Sequence, residues 1–320
     1  MTTLFTAPTR VGAYARLAKL DIWDYYLAVP LAWSLCGPAR DDPAALATLG
    51  LFLIGAVGVV AGAVAFDDVA GFRDGRDWAN CAPRDSASAA APPRRRLHRK
   101  PLLTGELTER EAVLFGWGAT LFGLLVWTWT VAFAEHHPLW SVLLLAGCFF
   151  GAVQYSRGIK ISYRGLQEVV LAGFGAGLVL AAVGLCTGEL TGFAVVQAAL
   201  FGFGPLLVGV YANTRDARGD ASVGRPTAAV LLTGRGNRLF IAALTAAEVG
   251  LVVAASLLGA APWWFALAML PATGLRAAQL RHGVGYGDLA GARLLGLHAH
   301  RVTVSLLILV NLFAPLLGGH

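Results

Sequence analysis

Two stretches of this chain gather aspartate and arginine more densely than a passive surface loop would. The first runs Asp67-Asp-Val-Ala-Gly-Phe-Arg-Asp-Gly-Arg-Asp77. The second runs Asn213-Thr-Arg-Asp-Ala-Arg-Gly-Asp220 and on through Gly224-Arg-Pro-Thr227. If helix continues through them, Asp67 and Asp74 share a face, with Asp68 beside Asp67. Asp74 and Asp77 are then one turn apart, and Asp216 and Asp220 form an i,i+4 pair. Like charges at that spacing cost about 0.2–0.5 kcal/mol per pair. Near hydrocarbon each carboxylate costs more, up to about 3 kcal/mol at a bilayer centre. A divalent cation relieves both costs. All-oxygen donors suit magnesium, which keeps waters and shares its shell with substrate phosphate. The interleaved Arg76, Arg215 and Arg225, with Asn213, can take free phosphate oxygens, the guanidiniums bidentately. The pattern reads as a magnesium-diphosphate site. Asp67, Asp68, Asp216 and Asp220 are its central carboxylates, and Asp74 and Asp77 are further metal candidates.

A third stretch, Tyr155-Ser-Arg-Gly-Ile-Lys-Ile-Ser-Tyr-Arg-Gly-Leu-Gln-Glu168, offers Arg157 and Lys160 to a diphosphate. The same residues also suit an aromatic and basic membrane-boundary anchor. Asp85, Glu106, Glu109 and Glu111 read as ordinary surface ion-pair partners. No Walker loop, HExxH, GxSxG or GxGxxG is present, which removes most support for nucleotide hydrolysis, zinc proteolysis and serine hydrolysis.

The elements that must position these residues follow from composition. Of 320 residues, 57% are apolar and 14% charged, and mean hydropathy is +0.64. Soluble domains carry about 25% charged residues. The apolar residues fall into nine candidate spans, roughly 18–36, 44–66, 111–133, 138–156, 167–186, 191–212, 238–258, 260–277 and 300–318. These runs lack the alternation of barrel strands, so they predict an all-α polytopic membrane protein with nine transmembrane helices. Many of the 39 glycines lie within spans, where small residues let helices pack closely. Four scattered cysteines, Cys36, Cys81, Cys148 and Cys186, read as apolar fillers. No cleaved signal peptide is evident, so the first span is expected to stay.

With the N-terminus in the cytoplasm, 24 of the 25 Lys and Arg residues fall on the cytoplasmic side, and only Arg40 does not. This is the positive-inside pattern. The net charge of +6 is therefore an orientation signal and requires no nucleic-acid partner. Four spans separate the two aspartate clusters, so both emerge at the cytoplasmic face.

At these residues the chain resembles the UbiA superfamily of intramembrane prenyltransferases over about residues 15–230. Asp67-Asp68…Gly75-Arg76-Asp77 resembles the Asn-Asp-rich motif after the family's second helix. Asp216-Ala-Arg-Gly-Asp220…Gly224-Arg-Pro-Thr227 resembles the Asp-rich motif after its sixth. Lys100-Pro-Leu-Leu-Thr-Gly-Glu-Leu107 is similar to the segment that precedes the third helix. Asn213-Thr-Arg-Asp216 and Tyr163-Arg-Gly-Leu-Gln-Glu168 look closest to 1,4-dihydroxy-2-naphthoate polyprenyltransferases. The sequence departs from the family at Asp67, where Asn is usual, and at Gly71, where a third Asp is usual. Asp74 is the expected substitute from the same helical region. Ile159 stands where a proline is common.

The resemblance implies one UbiA-like domain over 1–320, with nine helices around a central cavity. Cytoplasmic cap segments are expected at about 67–110, 157–166 and 213–237. It further implies Mg2+ as cofactor, with a prenyl diphosphate and a small aromatic acceptor as substrates in the cell membrane. A terpene cyclase on the same scaffold is the alternative, consuming the prenyl diphosphate without an acceptor. A transporter is a remote alternative, because the ionisable residues collect at one face rather than mid-span. Asp21 and Asp24 have no assigned role at this level.

Overall fold

The structure is a computed structural model and describes residues 9–81 and 97–314. It is all helical in those residues. A short α1 (Arg10–Leu17) and α2 (Ala28–Leu35) precede the 31-residue α3 (Pro43–Arg73). α4 (Arg76–Cys81) follows one tight turn later. Next come α5 (Glu109–Phe133), α6 (Leu139–Gln154), α7 (Gln167–Thr187) and the 31-residue α8 (Gly192–Ser222). The chain closes with α9 (Gly234–Leu257), α10 (Leu270–Leu280) and α11 (Leu289–Phe313).

Among the described residues, six helices are long and apolar enough to cross a membrane: α3, α5, α7, α8, α9 and α11. The 16-residue α6 is apolar but shorter. The count of nine full-length helices is therefore corrected in two places. The span expected at 18–36 is broken: Lys19 has a positive φ of 49°, and helix resumes only at Asp24. The span expected at 260–277 is also interrupted. One turn (Phe265–Ala268) precedes α10, which starts afresh with Pro271 in its first turn. Proline cannot donate to a preceding turn but fits the first turn of a new helix. The last helix starts at Leu289, eleven residues before the expected boundary, under the Asp288 cap (Gly291 N–H to Asp288 Oδ1, 2.9 Å). Charged and histidine residues in its first half had masked it.

α3 and α8 match the apolar spans expected at 44–66 and 191–212 and then continue for seven to ten residues. At about 1.5 Å per residue each is about 46 Å long, against a hydrocarbon layer of about 30 Å. The surplus carries the aspartate motifs.

Close seams hold the bundle. Along α3 and α5, Gly55, Gly58 and Gly62 face Trp127, Gly123 and Thr120. A Cβ at Gly58 would come within 2.8 Å of the Ala119 carbonyl oxygen. Between α7 and α8, a Cβ at Gly175 would lie 3.2 Å from the Gly202 Cα.

Several buried polar groups are paired across helices, which lowers the cost of burying them. Gln197 (α8) and Asn311 (α11) exchange amide hydrogen bonds of 2.6 and 2.9 Å, and Asn311 also donates to Ser34 Oγ of α2 at 2.9 Å. Arg276 Nε (α10) lies 2.7 Å from Glu248 Oε2 (α9). Asp24, unassigned from the sequence, accepts from Arg301 of α11 at 2.7 and 3.1 Å. Arg301 also stacks 4.5 Å from the Trp23 ring. Asp21 pairs with Arg99 at 2.6 Å.

The surface acids behave as expected where they are described. Glu106 pairs with Arg16, Glu109 with Arg73 and Glu111 with Arg10. Glu111 also completes a capping box with Thr108 at the start of α5. Asp85 lies outside the described residues.

Candidate active site

The two aspartate motifs meet because α3 and α8 carry them to one end of the bundle and α4 bridges the gap. Asp74 caps α3, accepting from the Arg76 N–H at 3.0 Å, and Gly75 takes a positive φ of 80° to reverse the chain. Glycine takes that backbone shape without steric cost. α4 then lies against α8. Gly219 supplies the room, since a Cβ there would overlap the Asn80 amide.

A cavity of about 310 Å³ opens between these elements. Asp67, Arg76, Asp77 and Asn80 line it from α3 and α4, and Asn213, Arg215, Asp216 and Asp220 from α8, with Arg225 just beyond. The wall is completed by Lys19, Ile22, Arg99, Lys100, Tyr155, Gln167 and Arg293.

Each carboxylate meets a cation. Arg76 donates to the Asp67 carbonyl at 3.1 Å and to its Oδ1 at 3.2 Å. Ser156 adds a 2.6 Å bond to the same Oδ1. Asp68 is buried, with Lys19 and Lys100 at 3.0 and 2.8 Å. Lys100 also reaches Asp77 Oδ2 at 2.8 Å. Arg215 holds both oxygens of its neighbour Asp216 at 3.0 Å. Arg225 links the two motifs: its guanidinium lies 3.8 Å from Asp220 and 4.0 Å from Asp67, and donates to Tyr155 OH at 3.2 Å. On the α7 side, Gln167 donates to Asn213 Oδ1 at 2.6 Å, and Asn213 donates to Glu168 at 3.1 Å.

The fields of these groups alter one another. Burial lifts the Asp77 carboxyl above its ordinary range, and Asp68 adds to the lift while Lys100 and Arg76 oppose it. Burial works against the Arg76 and Lys100 cations, but Asp67 and Asp77 outweigh it for Arg76, and Asp68 and Asp77 for Lys100. Both stay charged above their ordinary values.

Some expected site residues stand elsewhere. Asp74 is exposed at the α3 cap, where it accepts from Tyr163 OH, and it does not line the cavity. Asp77, rather than Asp74, is the carboxylate beside Gly71. A Cβ at Gly71 would fall 2.5 Å from Arg76 Nη2 and 2.7 Å from the Asp77 carboxyl carbon, so those groups fill the space of a side chain at 71. Asp68 does not line the cavity; it is buried behind Lys19 and Lys100, which do. Arg157 stacks on Phe66 and Trp117, 5.0 and 4.7 Å from the ring centres. Lys160 sits 5.2 Å over the Tyr163 ring. Neither lines the cavity.

Sequence reasoning missed Lys19, Arg99, Arg293, Asn80, Tyr155 and Gln167 as site residues, and Lys100 as more than an orientation charge. The position of Lys100 at the head of the Lys100-Pro-Leu-Leu-Thr-Gly segment was the available signal.

Among the described residues, no three His, Cys, Asp or Glu side chains are drawn together as a ready-made cation cage. The donor chemistry still fits magnesium. Four carboxylates, those of Asp67, Asp77, Asp216 and Asp220, line one cavity. Such a site suits a cation that arrives with a phosphate and completes its shell with substrate oxygens and water.

An apolar helical bundle with a polar, two-signed cavity at one end is the architecture of an integral membrane protein. The sequence matches the profile of the UbiA prenyltransferase family over residues 27–298, and the chain belongs to that family. Solved structures share the fold. A UbiA homologue from Archaeoglobus fulgidus, bound to DMAPP and Mg2+, is 14% identical, with a TM-score of 0.63 over 92% of this chain and 98% of its own. A UbiA homologue from Aeropyrum pernix K1 is 16% identical, with a TM-score of 0.63 over 89% of this chain and 97% of its own. A digeranylgeranylglyceryl phosphate synthase is 12% identical, with a TM-score of 0.60 over 94% and 98%. At these identities the likeness is one of fold. No curated protein matches the chain in sequence.

Proposed function

We propose that the chain is a magnesium-dependent prenyltransferase. It ionises a prenyl diphosphate and transfers the prenyl group to an aromatic acceptor of naphthoate or quinone-precursor type. The observation that carries this reading is the convergence of both aspartate motifs and their cations on one cavity at the end of apolar helices. The A. fulgidus homologue bound to DMAPP and Mg2+ supports it from fold-level kinship.

Asp67, Asp77, Asp216 and Asp220 would hold the metal. When bound, magnesium supplies positive charge that stabilises the departing diphosphate. Arg76, Lys100 and Arg215 would turn from the carboxylates to the phosphate oxygens as these arrive, while Arg225 would meet them from a fixed position. Their charge then opposes the negative charge that builds up when the allylic C–O bond breaks. Tyr155 and Tyr163 hold Arg225 against their rings, 5.7 and 5.5 Å from the ring centres, and so fix its direction. The prenyl tail would run into the apolar interior, away from water. The nine hydrophobic segments, full-length or broken, would surround it as one domain.

The acceptor class rests on Asn213-Thr-Arg-Asp216 and Tyr163-Arg-Gly-Leu-Gln-Glu168, whose Asn213, Gln167 and Glu168 form one hydrogen-bonded chain. The distribution of Lys and Arg orients the N-terminus and the cavity mouth to the cytoplasm.

The test is product analysis. Purified protein is incubated with prenyl diphosphates of several lengths and Mg2+, with and without 1,4-dihydroxy-2-naphthoate. The expected result is a prenylated naphthoate that forms only when the acceptor is present. A cyclic hydrocarbon or alcohol without acceptor would replace this reading with a terpene cyclase. Absence of diphosphate release from every chain length would overturn it.

A further inference from the structure

One cation in the cavity wall is not matched. Lys19, Arg76, Lys100, Arg215 and Arg225 each have a carboxylate oxygen within 4.0 Å, as does Arg99 through Asp21. Arg293 of α11 also lines the cavity, yet it forms no hydrogen bond or ion pair with the described residues, and its Nε is buried without an acceptor. Its electrostatic neighbours are mixed: Arg215 and Arg99 repel it, and Asp216 and Asp21 attract it from beyond ion-pair distance. A half-buried guanidinium whose Nε–H is buried and unused, with two like charges nearby, is costly unless an anion completes it. Its planar fork matches carboxylate and phosphate oxygens.

We propose that Arg293 is a substrate-binding residue that holds an anionic oxygen group, a phosphate or a carboxylate, on the α11 wall of the cavity. The proposal rests on the reading of the cavity as the reaction site. It adds a residue from the last helix, beyond both aspartate motifs. Two substrates could supply the anion: the prenyl diphosphate itself, or an acceptor that carries an acidic group. In the second case Arg293 selects the acceptor.

The test measures binding to purified protein by change in tryptophan fluorescence, for wild type, Arg293→Gln and Arg293→Lys. The probes are geranyl S-thiolodiphosphate with Mg2+, 1,4-dihydroxy-2-naphthoate, and the neutral 1,4-naphthalenediol. Losing a charge-assisted, bidentate contact should weaken one of the two anions by about 10- to 100-fold in Arg293→Gln. Arg293→Lys should fall between it and wild type, and the neutral diol should bind all three proteins alike. Loss on the thiolodiphosphate assigns Arg293 to the diphosphate, and loss on the naphthoate assigns it to the acceptor. Affinity for both anions within threefold of wild type overturns the proposal, as does equal weakening of the neutral diol. If the wild type itself fails to bind the thiolodiphosphate, the prenyl-diphosphate reading fails. If it binds and the variants bind equally, only the role of Arg293 fails.

Discussion

Asp67 and Asp216 occupy equivalent places on their helices: each stands 24 residues after the first residue of a 31-residue helix. At about 1.5 Å per residue that sets both roughly 36 Å along their helices, farther than a hydrocarbon layer of about 30 Å is thick. The two carboxylates are levelled by helix length rather than by loop shape. Functional groups on rigid elements are held more closely than groups on loops.

Replacing carboxylates at the two motifs should therefore have unlike effects on folding. The Asp216 side chain is 23% exposed. Asp216→Ala should lower diphosphate release by about 10²-fold or more, with little change in thermal midpoint in detergent. Asp68 is 1% exposed and faces two lysines. Asp68→Ala leaves the Lys19 ammonium without its carboxylate and Lys100 with Asp77 alone, and should lower stability by about 1–3 kcal/mol as well as turnover. Full turnover in Asp216→Ala would remove the metal-diphosphate reading. An unchanged midpoint in Asp68→Ala would remove the ion-pair account.

Cations already neutralise the carboxylates, so magnesium alone should bind weakly. Geranyl S-thiolodiphosphate draws Arg76, Lys100 and Arg215 onto itself and should tighten magnesium binding by about 5- to 150-fold, the usual range for coupled ligands. Calorimetric titration with and without the analogue measures this. Chelation with EDTA should stop diphosphate release, and added magnesium should restore it. Equal magnesium affinity with and without analogue would contradict the exchange of partners.

Restoring the family's aspartate at position 71 should harm this protein. The Cβ alone would stand 2.7 Å from the Asp77 carboxyl, and the new charge would repel it. Gly71→Asp should reduce stability by about 1–3 kcal/mol and reduce turnover. Gly71→Asp combined with Asp77→Ala should recover part of both, measured by thermal unfolding and product formation. An active, stable single variant would contradict the space-filling role of Asp77.

Long apolar runs reveal α3, α5, α7, α8 and α9 to within a few residues at their lipid-facing parts, because burial in lipid demands continuous hydrophobicity. The first and eighth spans misled, because a turn at Lys19 and a proline restart at Pro271 interrupt helix without interrupting hydrophobicity. Asp67, Asp77, Asp216 and Asp220 were legible because like charges cluster only where something repays their repulsion. The outward turn of Asp74 was not legible, since it depends on the positive φ of Gly75. Arg293 was hidden because one arginine on a helix has no spacing to reveal it.

Away from the cavity, Arg276 and Glu248 should matter to stability alone. Either partner removed singly, as Glu248→Gln or Arg276→Met, should cost about 3–5 kcal/mol, because one buried charge is stranded. Replacing both with apolar residues of similar size should recover most of that loss. The Michaelis constant for prenyl diphosphate should stay within about twofold in the double variant, since neither residue lines the cavity. Denaturation in detergent and steady-state kinetics separate the two effects.

The clasp between Asp24 and Arg301 joins residues 277 positions apart. A ribosome adding about 5–20 residues per second makes the second partner roughly 14–55 s after the first. During that interval Asp24 lacks its guanidinium and the wall that bears Arg293 has not been made. Assembly of the reaction chamber is therefore tied to the last part of synthesis. A nascent or truncated chain that has threaded most of its helices still lacks one side of the chamber and should neither seal nor react.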